Sequence, residues 1–168
     1  MSLSMHSASV PVFVRTLTAM LSWLDKAQAH AEARKFSPDN YLTLRLAPDM
    51  LTFKSQIQIA SDMAKGCVAR LAGVDVPSWE DNEATLEDLR ARVRRTIDYV
   101  QSFGAAQIDG SDGREIVLPT RTGEPRRFSG ENYLKQFVLP NFFFHSTTTY
   151  ALLRSAGVEL GKKDFLGL

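Results

Sequence analysis

A histidine in an aromatic helical run is the residue of this chain best suited to chemistry. His145 follows three phenylalanines in PNFFFHSTTTYALLRS and shares one helical face with Phe142, Thr149 and Leu152, because successive members are three or four residues apart. An imidazole near neutral pKa can act as a hydrogen-bonding group, a general base or a metal ligand. The spacing predicts an inward-facing imidazole and leaves these three roles open.

Other patterns typical of active sites are missing from the sequence. The chain has three histidines, His6, His30 and His145, and neither a Ser-His-Asp order nor a glycine-rich phosphate loop. Its one cysteine, Cys67, falls near the apolar stripe of a predicted helix. We therefore expect a buried, inert thiol and no internal disulfide.

Composition indicates one globular domain spanning residues 1–168. Hydrophobic residues make up 44% of the chain and charged residues 23%, and the formal net charge of +1 predicts no general attraction to nucleic acid. No stretch reaches the roughly 18 consecutive apolar residues that a membrane span requires. The single cysteine and an N-terminus without a basic leading region favour a cytoplasmic protein.

Four amphipathic helices must position His145. Helix three follows a capping box formed by Thr85 and Asp88, and Pro140 is expected to kink or break helix four. Such helices bury their apolar faces most simply in an all-α four-helix bundle, here with connections long enough to cross between non-neighbouring helices. A small β-hairpin is predicted between helices three and four, within residues 109–128. The predicted helices cover residues 11–34, Pro48 to about 71, 86 to about 103, and 129–155.

Two groups of side chains carry further expectations. Phe142, Phe143 and Phe144 cannot all face one core, since consecutive helical residues are about 100° apart. Either a dimer interface or a hairpin packed over a second face would cover them, and we expect a homodimer. Arginines interleaved with acids are expected to form a solvated face without nucleic-acid binding. These are Arg90, Arg92, Arg94 and Arg95 in helix three and Arg121, Arg126 and Arg127 in the hairpin.

Several segments resemble an uncharacterised bacterial domain-of-unknown-function family of the DinB-like, or YfiT-like, metalloenzyme superfamily. They are RLAPDM, ARLAGVDVP, PNFFFH and TTTYALLRSAGVELGKKDFLG, and the resemblance covers essentially the whole chain. It implies a DinB-like four-helix bundle. In that superfamily one histidine from helix two and an H-x-x-x-H pair in helix four hold a divalent metal, and some members are metal-dependent thiol transferases or isomerases.

The resemblance carries over only in part to the residues of this chain. His145 matches the second histidine of the pair, by its distance from Gly157, and the first position falls on Asn141. Reading the pair forward puts Thr149 in the partner position instead. Helix two contains no histidine, and Gln56 is the polar residue nearest its apolar stripe at mid-helix. The resemblance therefore implies a degenerate pocket around these four residues.

Two further residues are candidates to line this pocket. Arg45 and Asp49 flank Pro48 in a family-like segment, and the alternative for Asp49 is a capping role at the start of helix two. Gln56, Asn141 and His145 would make a weak divalent site, since zinc favours imidazole and thiolate ligands. We therefore expect binding of an unknown small molecule without a metal.

Two other functions stay open. One is a divalent-metal-dependent enzyme of the thiol-transferase type, with zinc or nickel bound through His145. The other is a structural protein that self-associates. The sequence does not decide whether the chain is an enzyme.

Overall fold

The long helices form where the apolar periodicity predicts them. The computed structural model describes residues 3–120 and 122–168. Its elements in chain order are α1 (Val10–Arg34), a 3₁₀ helix (Pro38–Thr43), α2 (Phe53–Ala72), α3 (Leu86–Gln101), α4 (Ala105–Ile108), β1 (Glu115–Leu118), β2 (Arg126–Ser129), α5 (Gly130–Asn132), a π-helical stretch (Tyr133–Val138), α6 (Leu139–Ser155) and α7 (Lys162–Leu166). The mainly helical architecture with a two-stranded hairpin confirms the predicted fold class.

The core lies between α1, α2, α3 and α6. Helix α2 packs against both α6 and α3, and α1 packs against α3 and α6. The rings of Phe13 on α1 and Phe142 on α6 meet edge to face, with centroids 5.0 Å apart, and both side chains are fully buried. This packing turns the face of α6 that carries His145 toward α2.

Helix α2 begins five residues later than predicted. Its N-cap is Thr52, whose hydroxyl accepts a hydrogen bond from the backbone N–H of Ser55 at 3.3 Å. Pro48 and Asp49 lie instead in a turn in which the N–H of Met50 donates to the carbonyl of Ala47. The predicted start at Pro48 is therefore wrong. A helix starting there would have Ala47 as its N-cap, which offers no side-chain acceptor, whereas the Thr52 hydroxyl caps the helix that starts at Phe53.

The helix does not break at Pro140, where a kink or break was predicted. Helical backbone runs without interruption from residue 130 to 155, and the π-helical stretch directly precedes Pro140. The N–H of Leu139 reaches back five residues to the carbonyl of Leu134. We attribute the π-helical stretch to Pro140, because its ring would clash with the carbonyl of residue 136 in a regular α-helix, and wider turns move that carbonyl away.

The hairpin prediction is confirmed. Strands β1 and β2 pair antiparallel, with Glu115 opposite Ser129 and Leu118 opposite Arg126. Ile116 is buried against the core, and Glu115 and Val117 on the other strand face are exposed. Among the described residues, no helix is both long and apolar enough to cross a membrane.

Candidate functional site

Two side chains on different helices meet at the centre of the candidate site. Nδ1 of His145 on α6 lies 2.6 Å from Oε1 of Gln56 in the first turns of α2. The Gln56 amide is itself oriented, because its Nε2 donates to the backbone carbonyl of Leu51 at 3.1 Å. A carbonyl can only accept, so Oε1 is the atom that faces the imidazole.

This contact fixes the tautomer of His145. An amide oxygen accepts a hydrogen bond, so Nδ1 must carry the proton and Nε2 has a free lone pair in the neutral ring. Burial lowers the pKa of His145 below its usual value, because the charged imidazolium loses hydration. The ring is therefore neutral at pH 7.

Nε2 of His145 makes no hydrogen bond to any residue that the structure describes. The residue is 9% exposed, and the buried side-chain atoms without a partner belong to other residues. Nε2 is therefore not fully buried. A buried ring with one nitrogen anchored and the other open can accept a hydrogen bond from a ligand.

One apolar side chain borders the imidazole. The ring of Phe144 stands edge to face with that of His145, with centroids 5.1 Å apart, and Phe144 is 55% exposed. Leu51, whose carbonyl holds Gln56, is also exposed. Arg45 donates to the carbonyl of Met50 and so holds the segment that carries Leu51. Phe144 thus places an exposed aromatic ring beside the imidazole.

Three candidates do not direct polar groups at the His145 ring. Thr149 is fully buried and its hydroxyl donates to the backbone carbonyl of His145 at 2.9 Å, not to the ring. The Asn141 side chain turns back along its own helix and donates to the carbonyl of Phe137 at 2.6 Å. Asp49 is exposed in its turn and does not cap α2.

These residues do not fit a tightly bound divalent metal. Catalytic zinc takes three protein ligands, usually imidazole, thiolate or carboxylate. Residues 3–120 and 122–168 contain no converging group of three such side chains. The amide oxygen of Gln56 is already hydrogen-bonded to Nδ1 of His145. One imidazole with amide neighbours is a weak donor set for zinc or nickel.

A buried charge cluster elsewhere was missed by the sequence analysis. Arg92 on α3 pairs with Glu83 at 2.8 Å and with Asp62 at 3.1 Å, and Gln58 donates to Glu83 at 2.7 Å. Burial alone would raise the pKa of Glu83, but hydrogen bonds from Arg92 and Gln58 lower it below its usual value. No pattern in the sequence links these residues, because Glu83 comes from an irregular connection.

The prediction of a solvated arginine face is correct only in part. Arg90 and Arg92 are buried, because partners on other elements neutralise them: Asp25 for Arg90 and the charge cluster for Arg92. Arg94 and Arg95 are exposed as expected, as are Arg126 and Arg127, whereas Arg121 lies outside the described residues. Cys67 is fully buried, and burial raises the pKa of its thiol, which agrees with the expected inert state.

The comparisons with known proteins agree with this fold and give no activity. Residues 5–166 match the model of the family described as "Domain of unknown function (DUF1993)". A crystal structure of a DinB family member protein from Shewanella denitrificans is 36% identical, with a TM-score of 0.87 over 97% of this chain and 92% of that chain. No curated protein shows significant similarity. The chain therefore belongs to the DUF1993 domain family and has the DinB-like fold.

Proposed function

We propose that this DinB-like bundle is a small-ligand-binding protein whose polar contact is Nε2 of His145. The observation that carries the proposal is the hydrogen-bond chain from Nδ1 of His145 through Gln56 to the carbonyl of Leu51. This chain sets the tautomer and the ring orientation before any ligand arrives. A pre-oriented acceptor reduces the ordering cost of binding.

The chemistry around the ring indicates the ligand class. A neutral imidazole nitrogen with a lone pair needs a hydrogen-bond donor, such as a hydroxyl or thiol. The ring of Phe144 beside it favours an apolar or aromatic body on the ligand. We therefore propose a ligand that joins an apolar group to an O–H or S–H donor.

Phenol and its methyl ether, anisole, make a matched pair of probes for this site. Both have an aromatic body, and only phenol can donate to Nε2. We expect phenol to bind more tightly than anisole in titration calorimetry. The preference should be up to about tenfold, since one hydrogen bond is worth roughly 0.5 to 1.5 kcal/mol.

Two variants test which atom is responsible. His145→Leu should abolish the preference for phenol over anisole, because no acceptor remains. Gln56→Leu should reduce the preference, since Nδ1 loses its acceptor and the proton is free to move to Nε2. Thr43→Ala, at an exposed position of the 3₁₀ helix, is the control. Equal binding of phenol by the parent protein and His145→Leu would refute the proposal.

The metal-dependent thiol-transferase alternative gives a different result in the same preparations. It requires near-stoichiometric zinc or nickel in tag-free protein, lost in His145→Leu, measured by mass spectrometry. The donor set described above argues against that outcome. If the parent protein binds stoichiometric metal and His145→Leu does not, a metal centre replaces ligand binding as the proposed function.

A further inference from the structure

Two arginines converge on one cavity far from His145. Arg70, in the last turn of α2, and Arg114, just before β1, line a cavity of about 260 Å³ together with Gly73, Val74, Glu115, Ile116 and Val117. Arg70 is fourteen residues from Gln56, or about 21 Å along the helix axis at 1.5 Å per residue. The cavity is therefore separate from the proposed ligand site.

Neither arginine has a carboxylate partner in the described part of the chain. Among the described residues, the Arg70 side chain makes one hydrogen bond, from Nη1 to the hydroxyl of Tyr133 at 3.0 Å, and the Arg114 side chain makes none. Glu115, the acid that lines the cavity, pairs with Arg127 at 2.7 Å. Two guanidinium charges are thus left without compensation at this cavity.

Glycines make room for both guanidinium groups. Arg70 folds back over Gly66, one turn earlier in α2, where a Cβ would collide with its Nη1. Arg114 lies against Gly73, which ends α2 with a φ of 73°, and a Cβ there would overlap its guanidinium. A glycine inside a helix lowers helix propensity. At Gly66 the missing Cβ leaves room for the guanidinium of Arg70.

The Tyr133 hydroxyl adds a neutral group beside Arg70. Burial raises the pKa of Tyr133 to about 12, so the phenol stays protonated and does not neutralise the arginine. Tyr133 belongs to the π-helical stretch that precedes Pro140.

We propose that Arg70 and Arg114 bind the phosphate dianion of a small phosphomonoester in the cavity between the C-terminus of α2 and strand β1. Guanidinium groups match phosphate oxygens geometrically and form charge-assisted hydrogen bonds. The exposed side chains of Val74 and Val117 border the site and would contact the organic part of the ester. The alternative is that both arginines only offset the negative end of the α2 dipole.

The test is calorimetric titration of the full chain with inorganic phosphate, phenyl phosphate and acetate at matched ionic strength. We expect both phosphates to bind, phenyl phosphate more tightly, and acetate at least tenfold more weakly than phenyl phosphate. Arg114→Met, at an exposed position, should weaken phosphate binding by about tenfold through the loss of one charge-assisted contact. Arg126→Met on the same hairpin should change binding less than twofold.

Gly66→Ala distinguishes specific phosphate binding by Arg70 from nonspecific attraction to the charge of the surface. The new Cβ displaces the Arg70 guanidinium and leaves every charge in place. We expect severalfold weaker phosphate binding with an unfolding midpoint that is unchanged or higher, because alanine favours the helix. No phosphate binding in the parent protein, or equal losses in Arg114→Met and Arg126→Met, would overturn the proposal.

Discussion

At the scale of single residues, His145 has a defined protonation state because of where it is buried. Its ring gains one hydrogen bond from Nδ1 to Gln56 but loses hydration of the charged form, and burial lowers its pKa. The unfolded chain therefore binds a proton at this residue at higher pH than the folded chain does.

The stability of the protein should depend on pH through this residue. The contribution from neutral His145 is complete above the unfolded pKa of about 6.5 and is lost as the pH falls through the lower folded pKa. Urea unfolding of the parent protein and His145→Leu at steps from pH 7.5 to 5 measures the difference. We expect the unfolding free energy of the parent protein to decrease relative to that of His145→Leu as the pH falls. A difference independent of pH would contradict a lowered pKa.

Arg92 should be the most costly single charge to remove. Its guanidinium neutralises Glu83, and the two side chains are 3% and 8% exposed. Arg92→Met leaves Glu83 buried without its partner, which should cost about 3 to 5 kcal/mol of unfolding free energy. Arg94→Met, which breaks an exposed pair with Glu87, should cost at most about 1 kcal/mol.

A double variant distinguishes lost charge balance from lost packing at Arg92. Glu83→Gln combined with Arg92→Met removes both charges, so the double variant should be more stable than Arg92→Met alone. Urea unfolding of the parent protein, the two single variants and the double variant gives the coupling free energy between residues 83 and 92. A double variant that is as unstable as the sum of both single variants would contradict the charge-balance account.

At the scale of elements, helix ends show what the sequence could predict. The capping box of α3 was predicted from Thr85 and Asp88 and is present: Thr85 accepts from the N–H of Asp88 at 3.1 Å, and Asp88 accepts from the N–H of Thr85 at 2.9 Å. The start of α2 was predicted at Pro48 but lies at Phe53, where the Thr52 hydroxyl caps the helix and the N–H of Phe53 donates to the carbonyl of Leu44. Local patterns predict caps, whereas tertiary contacts select among them.

The capping box provides a quantitative test at this scale. Thr85→Ala should lower the unfolding free energy by about 1 kcal/mol, the usual cost of removing a threonine cap. Thr43→Ala, whose side chain is exposed and makes no hydrogen bond to described residues, is the matched control and should change it by less than about 0.5 kcal/mol. Equal effects of the two substitutions in thermal unfolding would argue against a stabilising cap.

At the scale of the whole molecule, the bundle brings together residues that are far apart in the chain. Gln56 and His145 were singled out on separate helices, and the packing of α2 against α6 places their side chains in contact across 89 positions. The roles of Asn141 and Thr149 could not be predicted, because side-chain bonds to their own helix backbone depend on rotamers that spacing does not specify. The apolar pattern predicted the fold, whereas the polar contacts could be identified only in the three-dimensional structure.

Self-association is the untested expectation at this scale. Phe142 is buried in the core, whereas Phe143 and Phe144 are exposed in the single chain. If these two rings form the predicted dimer interface, Phe143→Ser should shift the protein toward monomer in analytical ultracentrifugation. Exposed Val117 on the hairpin, changed to Ser, is the control. A monomeric parent protein, or a dimer unaffected by Phe143→Ser, would remove this surface as the interface.

The most direct test of the proposed ligand site is the tautomer of His145, measured by ¹⁵N NMR of histidine-labelled protein at pH 7. Comparison with His145→Leu assigns the resonances. We predict a neutral ring protonated at Nδ1, with an unprotonated Nε2 whose resonance moves when phenol is added and not when anisole is added. A ring protonated at Nε2, or an Nε2 resonance insensitive to phenol, would contradict the account.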